Sequence, residues 1–504
     1  AAFDRAFERW RGLYLSAQDQ LKQATDRGQQ TGLSGKERDI NKASYNQASE
    51  QLKNLEQGRQ SNGSDFYSYR YLATEGFLPG YNFPRLPLYA WVPGAGGGGA
   101  FLQRARFLAI AEFGPRSLIY HEGRAYRVNR AKLPPDARTG DGLATKSLRI
   151  CSTCGAVDDS KRELCHACST PLAGAEEIQK TLRIDNVETL PADRITANDE
   201  ERVRQGFDIQ TVFSWPVRDG RVDVWNGRLT SGETSIVALQ YGQGAEISRL
   251  NKGLKRRANQ SIHGFGIDPQ SGRWVALPGE GEDETAPAPD QAKAAKIVPI
   301  VKDNKNALHL RFLDADLQTG THATIQHALL RAIERGYQLE EGEILGEPLP
   351  SRTDRRALLV YEATEGGAGV LARLARESDA LPRLARQALS LMHLDNVEAA
   401  IAGNDATLLH DTSGANCVKG CYRCLLSYFN QPDHELIDRT SPEARALLIA
   451  MARGAVAPME PKTTALDPTI AAALQAAGLP DPDTKPLTIS GTQLPAAWRE
   501  WRVA

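Results

Sequence analysis

All seven cysteines of the chain fall into two tight clusters: Cys151, Cys154, Cys165 and Cys168 in one, Cys417, Cys421 and Cys424 in the other. No other feature of the 504 residues constrains the fold as strongly. Disulfide frameworks spread their cysteines along the chain. Close pairs in a long, otherwise cysteine-free sequence suit metal binding in a reducing compartment, and a cytoplasmic location is expected.

The first cluster, "CSTCGAVDDSKRELCHACSTPL", is Cys-x2-Cys, ten residues, Cys-x2-Cys. Each pair can sit on a tight turn that aims two thiolates at one ion, and zinc takes four in a tetrahedron. Gly155 eases the first turn. Free thiols or an iron–sulfur centre are the competing readings. Four thiolates leave no open ligand position, so the metal staples a small ribbon that has no core of its own.

The second cluster, "GANCVKGCYRCLLSYFNQPDHELIDR", offers three cysteines where a metal usually wants four ligands. The fourth can be His434 ten residues on, His410 seven residues before Cys417, His393 further upstream, or a water. His434 is the expected ligand. The competing reading is a reduced, buried cysteine cluster, since small thiols pack well in cores.

Around these clusters the chain reads as a multidomain α+β protein. Residues 1–60 form a helical hairpin arm, with Phe3, Phe7, Trp10 and Tyr14 on one helix face. "SGKE" in its turn lacks the spacing of a phosphate loop. A β-rich module over 61–150 includes the run "GAGGGG". The four-cysteine zinc ribbon takes 151–175, and a second β-rich module takes 176–276. An acidic, Pro/Ala-rich linker over 277–296 is expected to be disordered. An α/β zinc-binding domain fills 297–455, and its last helix has Ser441 as cap and Pro442 at its first position. The tail is 456–504. The sequence lacks an initiator Met and opens as if in mid-helix, which suggests a piece of a longer protein.

The formal net charge is −1, so any nucleic acid meets a local patch and not a general basic field. "SRLNKGLKRRANQ" supplies such a patch, with Arg249, Lys252, Lys255, Arg256 and Arg257 and no acid; a solvated basic loop is the plain alternative. "LVYEATEGGAGVLARL" places Gly366, Gly367 and Gly369 between a strand and a helix, where packing explains them better than phosphate binding. Glu362 has no visible partner carboxylate for acid–base work. No Gly-x4-Gly-Lys-Ser/Thr motif and no DEAH-like tetrad is found. "HLRFLDAD" has Arg311 where a phospholipase-type nuclease has Lys. No stretch reaches the ~20 apolar residues of a membrane span.

"YEATEGGAGVL" together with "CVKGCYRCLLSYFNQPDHELIDR" resembles the MrfA-type zinc-binding domain. That domain closes many large superfamily 2 DNA helicases, including those of antiphage systems of the DISARM and Druantia kind. "YRYLATEGFLPGYNFPRLPL", "RFLAIAEFGPRSLIYHEG" and "ISRLNKGLKRR" resemble the segment after the second motor domain of such helicases. The resemblance covers most of residues 60–450. It implies a non-motor accessory region of an ATP-dependent helicase or translocase. Its partners would be DNA, the motor domains on the same or another chain, and other defence subunits. A zinc-stabilised scaffold that docks a partner subunit or nuclease is the alternative. The family pattern offers four cysteines where this chain has three, with Ala415 and Asn416 before Cys417.

Overall fold

The computed structural model describes, with short interruptions, residues 7–56, 87–192, 206–276 and 294–459, and a few short pieces outside those spans. The expected linker lies outside the described residues up to residue 293, and so do Gly96–Gly98 of the glycine run. Most of the tail lies outside them too.

The arm is a hairpin of α1 (Glu8–Gly28) and α2 (Gly35–Glu56). Its helices run antiparallel. Tyr14 donates to Glu56 at 2.8 Å, Gln20 to Ser44 at 3.2 Å, and Asn41 to the Ala24 carbonyl at 2.8 Å. Ala17, Ala24 and Ala48 let the helices approach. The "SGKE" turn is a capping box. Ser34 N–H donates to Glu37 at 2.9 Å, and Glu37 N–H donates back to Ser34 Oγ at 3.3 Å.

The first β module is a five-stranded sheet in the order β2–β1–β8–β4–β3. Its strands are β1 (Leu88–Pro93), β2 (Gly99–Arg104), β3 (Leu118–His121), β4 (Arg124–Lys132) and β8 (Asn186–Pro191). Helix α3 (Arg106–Glu112) leads from β2 towards β3, and its Ala109 and Ile110 are buried.

The larger sheet is built on two long strands, β11 (Thr234–Leu254) and β12 (Ala295–Phe312). They pair antiparallel from Val237↔Phe312 to Leu250↔Ile300, with a register shift between Gly242 and Ala245. Glycine is required at that shift. A Cβ on Gly242 would meet the Trp215 ring at 2.5 Å, and Gly244 has φ +79°. On one side of the shift, Val237, Leu239, Leu308 and Leu310 face the C-terminal helices. On the other, Ala245 and Ile247 pack with the first cysteine cluster.

One end of this sheet carries β5 (Lys146–Ile150), β6 (Val157–Asp159) and β7 (Glu176–Arg183), while β9 (Phe207–Ser214) and β10 (Trp225–Ser231) flank β11. β13 (Ile344–Pro350) and β14 (Arg355–Glu362) continue it beyond β12. The sheet therefore runs unbroken past the boundary expected between residues 276 and 297.

The helices α4 (Thr319–Gly336), α5 (Val370–Arg376), α6 (Ala380–Leu391), α7 (Val397–Gly403) and α8 (Pro442–Ala452) supply the other layer. Their Leu, Ile and Ala residues form the largest buried cluster. α8 begins as its sequence reads: Ser441 Oγ accepts from Ala444 N–H at 3.2 Å and Pro442 is the first helical residue. None of the described helices is long and apolar enough to cross a membrane.

Candidate metal centres

The ribbon cysteines sit on two turns of the same design. After Cys151 and Cys154 the chain turns through Gly155 (φ +75°), whose N–H returns to the Cys151 carbonyl at 2.9 Å. After Cys165 and Cys168 it turns through Ser169 (φ +60°), whose N–H returns to the Cys165 carbonyl at 2.9 Å. The turns face each other, with Sγ–Sγ distances of 3.6 Å for Cys151–Cys168 and for Cys154–Cys165. A tetrahedron with zinc–sulfur bonds of about 2.3 Å has edges of about 3.8 Å. The four sulfurs lie within 4.8 Å of one another and fit zinc.

Crowding splits the four thiols. The thiol of Cys154 pulls Cys151 down to about 6, and that of Cys151 pulls Cys168 below the usual thiol range. Cys154 and Cys165 are pushed up, chiefly by Cys151. One cation among the four relieves this competition.

The shell around the ribbon is not legible in the sequence. His309 on β12 is buried and donates from Nε2 to the Cys154 carbonyl at 3.0 Å. Burial pulls its pKa down to about 4, which keeps it neutral. His166 donates to Asp158 at 2.9 Å through Nδ1 and accepts from Trp215 N–H at 3.0 Å through Nε2. Asp158, Cys165 and His166 are also close enough to share an ion. Both ring nitrogens of His166 are already used, however, so this trio ties the ribbon to β9.

The second cluster gains its fourth ligand from upstream. His393 follows α6 in the left-handed region (φ +60°), and its Nε2 lies 3.3 Å from Cys421 Sγ. Cys424 Sγ is 3.7 Å from Cys417 Sγ and 3.6 Å from Cys421 Sγ. His393, Cys417, Cys421 and Cys424 lie within 4.8 Å of one another and fit a closed zinc site of three thiolates and one imidazole. A short ladder holds His393 in place: Leu394 pairs with Asp411, Asp395 pairs with His410, and Thr412 N–H donates to the His393 carbonyl at 2.9 Å.

This corrects the expectation of His434. Its Nε2 faces the Ser427 carbonyl at 3.0 Å and Asn430 Oδ1 at 2.9 Å, so its proton closes the turn after Cys424. His410 is exposed on the short ladder.

Buried Arg439 supports this site. Its Nε is 3.1 Å from both the Cys417 carbonyl and the Cys417 Sγ, and its Nη2 donates to Asp411 at 2.7 Å. Three thiolates around one zinc leave a net negative charge, and Arg439 sits where it offsets that charge. Burial opposes ionisation at Cys421, but the bonds from His393 and the neighbouring thiols bring it down to about 6. Burial pushes Cys424 up to about 12.

Behind the turn, buried Asp433 accepts from Arg355 at 2.6 Å, Arg352 at 3.2 Å and His327 at 3.0 Å. Burial alone would raise its pKa, yet His327 and the two guanidiniums hold it well below the carboxylate range.

The expected basic patch is dispersed. Arg249 is largely buried; it pairs with Glu347 at 2.7 Å and lies over the Phe107 ring at 4.8 Å. Lys252 pairs with Glu176 at 2.5 Å, and Arg257, only 3% exposed at its side chain, pairs with Asp208 at 2.9 Å. These three hold strands together. Lys255 is exposed, and Arg256 lies outside the described residues. Glu362 is also structural. Asn306 donates to it at 2.9 Å, Leu371 N–H at the start of α5 reaches it at 3.4 Å, and Gly367 leaves room for it.

No curated protein matches the chain. Among solved structures it is similar to the DUF1998 helicase MrfA bound to DNA, at 11% identity and TM-score 0.31, covering 73% of this chain and 34% of that one. It is also similar to the DUF1998 helicase MrfA alone, at 9% identity and TM-score 0.27, covering 75% and 37%. The chain thus spans about a third of the length of the helicase chains it matches. Residues 325–425 match the family model of the MrfA Zn-binding domain. That span contains His393, Cys417, Cys421 and Cys424 and excludes His434, so the four side chains that fit the second metal group all lie within the region that matches the MrfA Zn-binding domain.

Proposed function

We propose that the chain is the non-motor accessory part of an ATP-dependent DNA helicase or translocase. It binds or separates DNA beside a motor on the same or a separate polypeptide, in the cytoplasm, as part of antiphage defence with other subunits. The observation that carries this reading is the match to the MrfA Zn-binding domain, with four side chains that fit a metal brought together within it. Both metal groups have four protein ligands, so the metals hold structure and the chain's contribution is a surface.

The test is a titration of the purified chain against fluorescent duplex, single-stranded and forked DNA at several salt concentrations. Micromolar or tighter binding that weakens steeply with salt supports the reading. Failure to bind any of the three sinks it and leaves a zinc-stabilised scaffold for a partner subunit or nuclease. Lys255→Glu is the charge reversal to use within the basic stretch, because Lys255 is exposed and makes no ion pair among the described residues.

A further inference from the structure

The second metal centre presents an outer edge that its ligand geometry does not need. Val418 and Tyr422, which lie between the cysteines, are 72% and 64% exposed, and Tyr428 and Phe429 just after them are 74% and 63% exposed. These are the largest exposures among the big apolar side chains of the described residues. Lys419 and Arg423 alternate with them, are exposed and form no ion pair among the described residues. From Thr412 to Pro432 the chain carries these two cations and no carboxylate, whereas Phe429 stands beside the acidic turn Glu340–Glu343, its Cζ 3.9 Å from where a Cβ on Gly342 would lie.

Tyr422 and the Tyr428–Phe429 pair flank the turn that His434 closes. The Tyr422 ring meets the His434 ring at 5.9 Å, His434 is bonded to the Ser427 carbonyl, and the next two residues are Tyr428 and Phe429, whose rings stand edge to face at 6.0 Å. The backbone beneath them is fixed. Ser427 N–H donates to Asn430 Oδ1 at 2.7 Å, Phe429 N–H to Ser427 Oγ at 3.1 Å, and Asn430 Nδ2 to the Leu425 carbonyl at 2.8 Å. Rings held out in water on a rigid turn lose little freedom when something stacks on them.

Resting on the DNA-engaging reading above, we propose that this edge is a platform for single-stranded DNA. Unpaired bases stack on Tyr422 and Tyr428, and Lys419 and Arg423 meet the phosphates between them. Aromatic side chains interleaved with cations are what a strand without paired bases needs, and every base has a face to stack. Tyr, Phe and Arg also suit protein interfaces while lysine does not, so association with the motor polypeptide is measured beside DNA binding.

The experiment uses the full, zinc-loaded chain and a fluorescent thymidine oligonucleotide, with a duplex of equal length beside it. Tyr422→Ala and Tyr428→Ala are each expected to weaken single-strand binding about tenfold, and Tyr428→Trp to retain it. Lys419→Gln with Arg423→Gln should make the slope of log affinity against log salt shallower by about 1.4. All these side chains are exposed, so zinc content and thermal unfolding serve as controls for folding. Single-strand binding that is unchanged in every variant overturns this inference and leaves the proposed function standing. A chain that binds no DNA removes both. Unchanged DNA binding together with lost association with the motor polypeptide overturns the inference in favour of a protein-docking edge.

Discussion

His393 Nε2 lies 3.3 Å from Cys421 Sγ although 28 residues separate them in the chain. The contact closes the four-ligand group and ties the end of α6 to the loop before α8. His393→Ala is therefore expected to lower bound zinc from two ions per chain to one, or to a weakly held second one, and to reduce thermal stability. His434→Ala should leave two. Metal analysis after dialysis separates these outcomes, and two tightly held ions in His393→Ala would refute the assignment.

Arg439→Met tests the support of that site. Loss of a group that orients a ligand typically costs 10–100-fold in metal affinity. The expected result is a chain that still loads two zinc ions but yields the second to a competing chelator at roughly 10–100-fold lower concentration. An unchanged competition curve would mean that Arg439 only fills space.

Charge reversal distinguishes the two roles of the basic stretch. Arg249→Glu places a carboxylate against Glu347, and breaking such a buried pair costs about 3–5 kcal/mol. Its urea midpoint should fall sharply, whereas the stability of Lys255→Glu should stay within about 0.5 kcal/mol of the parent. Equal stability for both would show that Arg249 is not part of the core.

Buried His309 sets a direction with pH. His309 has its pKa pulled down to about 4 by burial, against about 6.5 in an unfolded chain. The unfolded state then binds the extra proton first. This stability is complete above pH ~6.5 and is lost as pH falls towards 4. His309 alone is expected to contribute a loss of roughly 1 kcal/mol by about pH 5.5. Denaturant midpoints at about pH 7 and about pH 5.5 should show that drop, and His309→Gln, which keeps an N–H donor, should reduce it.

At Gly155 the turn needs a positive φ, and a Cβ would stand 2.7 Å from Leu349 Cβ. Gly155→Ala combines left-handed strain with overpacking, for an expected loss of roughly 2–4 kcal/mol. Calorimetry of the variant checks this.

The seven cysteine ligands are legible because each Cys-x2-Cys or Cys-x3-Cys pair is a local turn, and local turns are written in neighbouring residues. His393 stands in the sequence as only one alternative, since its arrival depends on where α6 ends and on the pairing of Leu394 with Asp411. The basic stretch misleads for a related reason. No acid stands beside Arg249, Lys252 or Arg257 in the sequence, but Glu347, Glu176 and Asp208 arrive from other strands. The expected boundary near residue 276 follows a change of composition, and composition carries no record that β11 pairs with β12 along most of their length.

That pairing has a mechanical consequence. The ladder from Val237↔Phe312 to Leu250↔Ile300 passes beneath the helical layer at one end and the four-cysteine ribbon at the other. To swing one cysteine-bearing end away from the other, the chain would have to break paired backbone on either side of the register shift at Gly242–Ala245. The two strands act as a beam. The helical layer and the ribbon rest on the same pair of strands, so neither end can be repositioned without disturbing that pairing.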